Sequence, residues 1–155
     1  MKDRCSLFLA SACFIGYIPG APGTYASLAT TLIFFFVYRI HDRVLPEIHL
    51  SAICLISLIG VVVSARASRA AQDEDPSFVV IDEVAGQLLT FLFLPARWWI
   101  LIGGTFLFRM FDIWKPFPLR KLEQLRNGVG IMADDIAAGI YANVVLQIVV
   151  RLAPR

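Results

Sequence analysis

Five apolar runs, joined by short polar connections, set the limits on what this chain can become. They occupy residues 25–38, 50–65, 78–94, 98–111 and 136–150. A helix needs about 20 apolar residues to cross the hydrocarbon of a bilayer. Several runs are shorter, so tilted helices, or helices that continue into polar flanks, are expected. The 155 residues are 58% hydrophobic and 17% charged, with a mean hydropathy of +0.72. A soluble domain is roughly 45–50% apolar, and a globule of this size must keep much of its surface polar. The excess argues for an integral membrane protein.

The expected fold is an all-α polytopic membrane bundle of about five transmembrane helices, forming a single domain over 1–155. A short re-entrant or interfacial helix over residues 5–18 should precede them. MKDRCSLFLASACF superficially resembles a signal peptide, but GYIPGAPGTY follows where a cleavage site would fall, so the segment is read as retained. Gly16 to Thr24 is rich in Gly and Pro and reads as a loop, with Thr24 or Ser27 placed to cap the next helix. Cys5, Cys13 and Cys54 have apolar neighbours and no metal-ligand spacing, which predicts buried thiols. A net charge of +2 without a basic run gives no reason to expect nucleic acid.

Five crossings would place Lys2, Arg4, Arg66, Arg69, Arg109, Lys115, Arg120, Lys121 and Arg126 on one side. Arg39, Arg43, Arg97, Arg151 and Arg155 would fall on the other. The excess of positive charge marks the first side as cytoplasmic. The Pro/Gly loop, Asp82-Glu83, Asp112 to Lys115 and Asp134-Asp135 then all approach that leaflet.

Arg109, Asp112, Lys115, Asp134 and Asp135 lie within or beside apolar segments, as do Asp82 and Glu83. Ionisable groups there are costly to desolvate and mark a functional site. Asp82 and Glu83 are neighbours on a helix, about 100° apart, so they are expected to point in different directions. Asp82 shares a face with Gly86, and Asp135 with Gly139, where glycine permits close helix contact. Arg109 and Asp112 are spaced for a local ion pair. Pro116 should end the helix before it, with Trp114 and Phe117 at headgroup level. Gly128 and Gly130 read as a tight turn able to aim N–H groups at an anion.

Carboxylates with few neutral donors suit a hard cation, Mg²⁺ above all. Mg²⁺ with Lys and Arg suits a phosphoryl group. His41 and His49 both fall in the first loop, away from the acids, which argues against zinc. Asp73-Glu-Asp75-Pro-Ser77 comes near a haloacid dehalogenase-type signature, but it lacks the preceding apolar strand and the Thr or Val that such a signature needs.

Four blocks carry a family resemblance: PGAPGTYASL (19–28), IDEVAGQLLT (81–90), FRMFDIWKPFPLR (108–120) and GVGIMADDIAAG (128–139). In their order and spacing they resemble phosphatidylglycerophosphatase A, a bacterial inner-membrane lipid phosphatase. The resemblance implies Mg²⁺-dependent hydrolysis of phosphatidylglycerophosphate to phosphatidylglycerol and phosphate, on the cytoplasmic face, in phospholipid synthesis. It departs at Ala26, where the family commonly has Gly, and at Arg126-Asn127 before the glycine pair.

Asp82, Glu83, Asp112, Asp134 and Asp135 are therefore the expected Mg²⁺ and catalytic cluster. Arg109 and Lys115 are expected to hold phosphate, with Gly23 and Thr24 contributing loop donors. One Asp would activate water or act as nucleophile; both routes are open at this point. Other readings are a phosphatase for another phosphorylated lipid, an acid-lined cation channel or transporter, and a scaffold for lipid-synthesis enzymes. The channel requires acids spread through the membrane thickness, whereas here they gather at one end.

Overall fold

The computed structural model describes residues 2–41, 45–125 and 128–152. Arg43, Arg126, Asn127 and Arg155, used in the charge and motif reading, lie outside them. Helices α1 (Lys2–Ala10), α2 (Pro22–Ile40), α3 (Pro46–Ala71), α4 (Ile81–Thr90), α5 (Trp98–Trp114), α6 (Leu119–Glu123) and α7 (Gly128–Leu152) follow in order, with a 3-10 turn at Ile15–Tyr17. No strand occurs among the described residues.

α2 and α3 both start on proline, whose fixed φ suits the first helical position and whose missing N–H is no loss there. α2 therefore begins ahead of the expected caps. Neither Thr24 nor Ser27 caps it; the Ser27 hydroxyl instead donates to the Gly23 carbonyl at 2.8 Å. α5 stops where Lys115 takes a left-handed conformation (φ 47) and its N–H bonds the Phe111 carbonyl. Pro116 then prevents continuation, as expected.

α2, α3 and α7 are long and apolar enough to cross a membrane. They expose large apolar side chains, among them Leu32, Ile33, Leu55 and Leu58, as a lipid-facing surface would. The three cysteines are exposed as well. The expectation of buried thiols fails because their apolar neighbours belong to the outer surface rather than to a core.

The third apolar run is not one helix. α4 has 10 residues, about 15 Å at 1.5 Å per residue, and the chain then turns through Phe93 at φ 63. A helix that stops inside an apolar medium leaves carbonyls without partners. Asn143 of α7 supplies them: its amide donates to Thr90 O at 3.0 Å and Leu92 O at 2.8 Å. Gln147 in turn donates to the Asn143 side-chain oxygen at 2.8 Å.

α7 is the central element, packed against α3, α4, α5 and α6, while α2 covers α4 and α5. Gly128 and Gly130 do not form the expected turn; they open α7. A Cβ at Gly128 would stand 2.7 Å from the Ala65 N on α3, so glycine here permits backbone contact between helices. Asp134 and Asp135 consequently sit in the second turn of a long helix rather than at its start. His49 also differs from expectation: it lies in α3, buried against the Phe34 ring with centroids 5.2 Å apart.

Candidate active site

The start of α2, the end of α3, the start of α4, the end of α5 and the start of α7 meet at one end of the bundle. Between them lies a cavity of about 1120 Å³ whose walls include Asp82, Glu83, Arg109, Asp112, Asp134 and Asp135. Lys115 and Gly23 also line it.

Two carboxylate groups overlap there. Asp82, Glu83 and Asp135 bring oxygens within 4.8 Å of one another, and so do Asp112, Asp134 and Asp135. Asp135 belongs to both. Asp82 and Glu83, neighbours in the first turn of α4, each bring one carboxylate oxygen into the same group despite their offset around the helix. Asp82, Asp134 and Asp135 are at least nine-tenths buried. Asp82 Oδ1, Glu83 Oε2, Asp134 Oδ1 and Asp135 Oδ2 have no hydrogen-bond partner. Buried anionic oxygens left this way are strongly disfavoured unless a cation joins them. An all-oxygen donor set of this kind fits a hard divalent ion.

Two cations border the acids. Arg109 Nη1 lies 2.6 Å from Asp112 Oδ2 and 3.6 Å from Glu83 Oε1. The local pair read from the i, i+3 spacing is thus present, and Arg109 also bridges to α4. Its Nε has no hydrogen-bond partner. Lys115 Nζ is 2.8 Å from both Asp134 Oδ2 and Glu123 Oε1. Burial works against its ammonium, but the bonds to Asp134 and Glu123 outweigh that and raise its pKa above the ordinary lysine value. Lys115 therefore stays charged at any physiological pH.

Gly23 packs on this ion-pair network, since a Cβ there would meet Arg109 Nη1 at 2.8 Å and the Glu83 carboxyl. Thr24 departs from expectation: it lies outside the acid-lined cavity, on a neighbouring apolar groove. Sequence reasoning passed over Glu74, Asp75, Glu123 and Arg120, all of which line the cavity. Asp75 belongs to the DEDPS loop, whose run of acids is the one sequence signal for it. His41 and His49 belong to neither carboxylate group.

The phosphatidylglycerophosphatase A family model matches residues 8–150, nearly all of the chain and every element of this site. The chain belongs to the phosphatidylglycerophosphatase A family. Phosphatidylglycerophosphatase A of Haemophilus influenzae is 37% identical over 133 residues, 84% of this chain and 80% of the relative. Its Escherichia coli namesake is 30% identical over 136 residues, covering 86% and 77%. A Bacteroides thetaiotaomicron protein, provisionally named a phosphatidylinositol-3-phosphatase, is 34% identical over 136 residues and 86% of each chain. No solved structure matches significantly. Membership of this family, with three helices fit to span a bilayer, makes the chain a membrane protein.

Proposed function

We propose that this chain hydrolyses phosphatidylglycerophosphate to phosphatidylglycerol and inorganic phosphate, using Mg²⁺ held by Asp82, Glu83, Asp112, Asp134 and Asp135. The observation that carries the reading is the double membership of Asp135 in two buried carboxylate groups, flanked by Arg109 and Lys115. Acids alone would repel a phosphate. Bound among them, a divalent ion supplies Lewis-acid polarisation of phosphoryl oxygens and orientation of the attacking water.

The chain's own groups do the rest. Arg109 offers two parallel donors to phosphate oxygens, and Lys115 offers a point charge. Lys115 exchanges its Glu123 contact for substrate, because Glu123 is the more exposed of its two partners. Asp134 keeps the ammonium in place. Water attacks phosphorus, the bond from phosphorus to the glycerol oxygen breaks, and the water's proton passes to the released alkoxide through a carboxylate of the cluster.

The site end of the bundle is assigned to the cytoplasmic face of a bacterial inner membrane. Arg66, Arg69, Arg109, Lys115, Arg120 and Lys121 belong to segments that end or begin there, in line with the positive-inside rule.

The substrate is tested by phosphate release from phosphatidylglycerophosphate and from phosphatidylinositol 3-phosphate, measured side by side with purified protein. At least a ten-fold higher kcat/KM for the glycerophosphate lipid is expected. The reverse ratio would move the assignment to the activity in the name of the Bacteroides relative.

A further inference from the structure

The acid-lined cavity has an apolar annex. A groove of about 460 Å³ runs between α2 and α5, and Arg109 lines both spaces. From that junction the groove passes Leu28, Leu32, Ile102 and Phe106 and ends where the Phe35 and Trp98 rings pack with centroids 4.3 Å apart. Thr31 and Thr105 lie on its floor with their hydroxyls 2.8 Å apart, and each hydroxyl also meets a carbonyl of its own helix. Their polar atoms are thus engaged within the protein, and the surface left to an occupant is apolar.

Length identifies that occupant. From Thr24 to Phe35 on α2, and from Arg109 back to Trp98 on α5, the groove spans eleven residues of helix, about 16 Å. The hydrocarbon core of a bilayer is about 30 Å thick, so one leaflet is about half of that. An apolar groove one leaflet deep, meeting Arg109 at its polar end, has the length of a single fatty acyl chain.

We propose that the α2–α5 groove holds one acyl chain of the lipid phosphomonoester while its phosphate occupies the acidic cavity. This rests on the lipid-phosphatase reading above. Arg109 is the point at which headgroup and chain diverge. The groove then selects substrates by chain length, with the Phe35–Trp98 pair as its end wall, and it distinguishes a lipid phosphate from a soluble one.

The test combines kinetics with labelling. Phosphate release is measured from dihexanoyl and dipalmitoyl phosphatidylglycerophosphate for wild type, Ile102→Trp and Leu32→Trp. Both substituted side chains are exposed, so the fold tolerates them. Each variant should lower the ratio of kcat/KM for the long chain to that for the short chain at least ten-fold. Separately, a diazirine placed mid-chain in the phosphomonoester lipid should label α2 and α5 along the groove. It should label the outward face of α3 at Leu55 and Leu58 far less, and a mid-chain diazirine phosphatidylcholine should label the groove at least five-fold less. A chain-length ratio unchanged within two-fold, or equal labelling by the phosphatidylcholine probe, overturns the groove while leaving the phosphatase reading intact. No phosphate release by wild type from either lipid overturns the phosphatase reading, and the groove with it.

Discussion

Gly86 and Gly139 stand back to back, so close that a Cβ added to Gly139 would strike the Gly86 carbonyl and lie 3.1 Å from its Cα. A Cβ on Gly86 would come 2.5 Å from the Asp135 carbonyl and 2.6 Å from the Phe108 ring. Each glycine follows an acid by four residues, Asp82 in one helix and Asp135 in the other. The contact between two helix backbones is thus what brings those two carboxylates into one group. Gly139→Val should force α4 and α7 apart. Overpacking of this kind costs about 1–3 kcal/mol, and activity should fall at least a hundred-fold while circular dichroism keeps its helical signal. Phosphate release within three-fold of wild type would show that the contact does not set the site.

Asp135 is the acid common to both carboxylate groups. Asp135→Asn should lower kcat at least a thousand-fold. Metal-free wild type holds several buried carboxylate oxygens without hydrogen-bond partners, so the variant should melt at a higher temperature than wild type in EDTA. Magnesium should stabilise wild type and leave the variant unmoved; a ligand at a hundred times its Kd contributes about 2.7 kcal/mol. Thermal melts in detergent, with and without Mg²⁺, check both statements.

Arg109→Lys keeps the charge but loses the paired donors. It should raise KM for the lipid at least ten-fold. Lys115→Arg should retain more activity than Lys115→Met, because the point charge is what this position supplies. Steady-state kinetics with a range of lipid concentrations would show the split, and equal activity of the two Lys115 variants would remove that residue from phosphate binding.

Asn143→Leu removes the donor that meets the two free carbonyls at the end of α4. Buried carbonyls left this way cost about 1–3 kcal/mol. A clear fall in melting temperature is expected, with near-normal kcat below the transition because Asn143 lies away from the acidic cavity. A loss of kcat at unchanged stability would place it in the chemistry instead.

The acids were legible because charge inside an apolar run is conspicuous, and both Asp–Gly spacings could be read on helical faces. That α4 and α7 use those faces against each other was not legible, since spacing does not name a partner. Gly128 looked like a turn because glycine serves turns and close helix contacts equally, and only its Ala65 neighbour on α3 decides between them. The third run looked like a crossing helix because its hydropathy continues to Leu94. Its interruption depends on Asn143, some fifty residues downstream, which no local pattern reveals. Thr24 lines the apolar groove rather than the acidic cavity because, one residue past Gly23 in the first turn of α2, it lies about 100° around the helix.

In the function proposed, acids from three helices act together through a divalent ion. This is tested most directly by phosphate release from phosphatidylglycerophosphate by the purified protein after exhaustive EDTA treatment, followed by Mg²⁺ titration. Activity should fall at least a hundred-fold in EDTA and recover saturably with Mg²⁺, with no recovery in Asp135→Asn. Full turnover in EDTA, or wild-type recovery in Asp135→Asn, would contradict it.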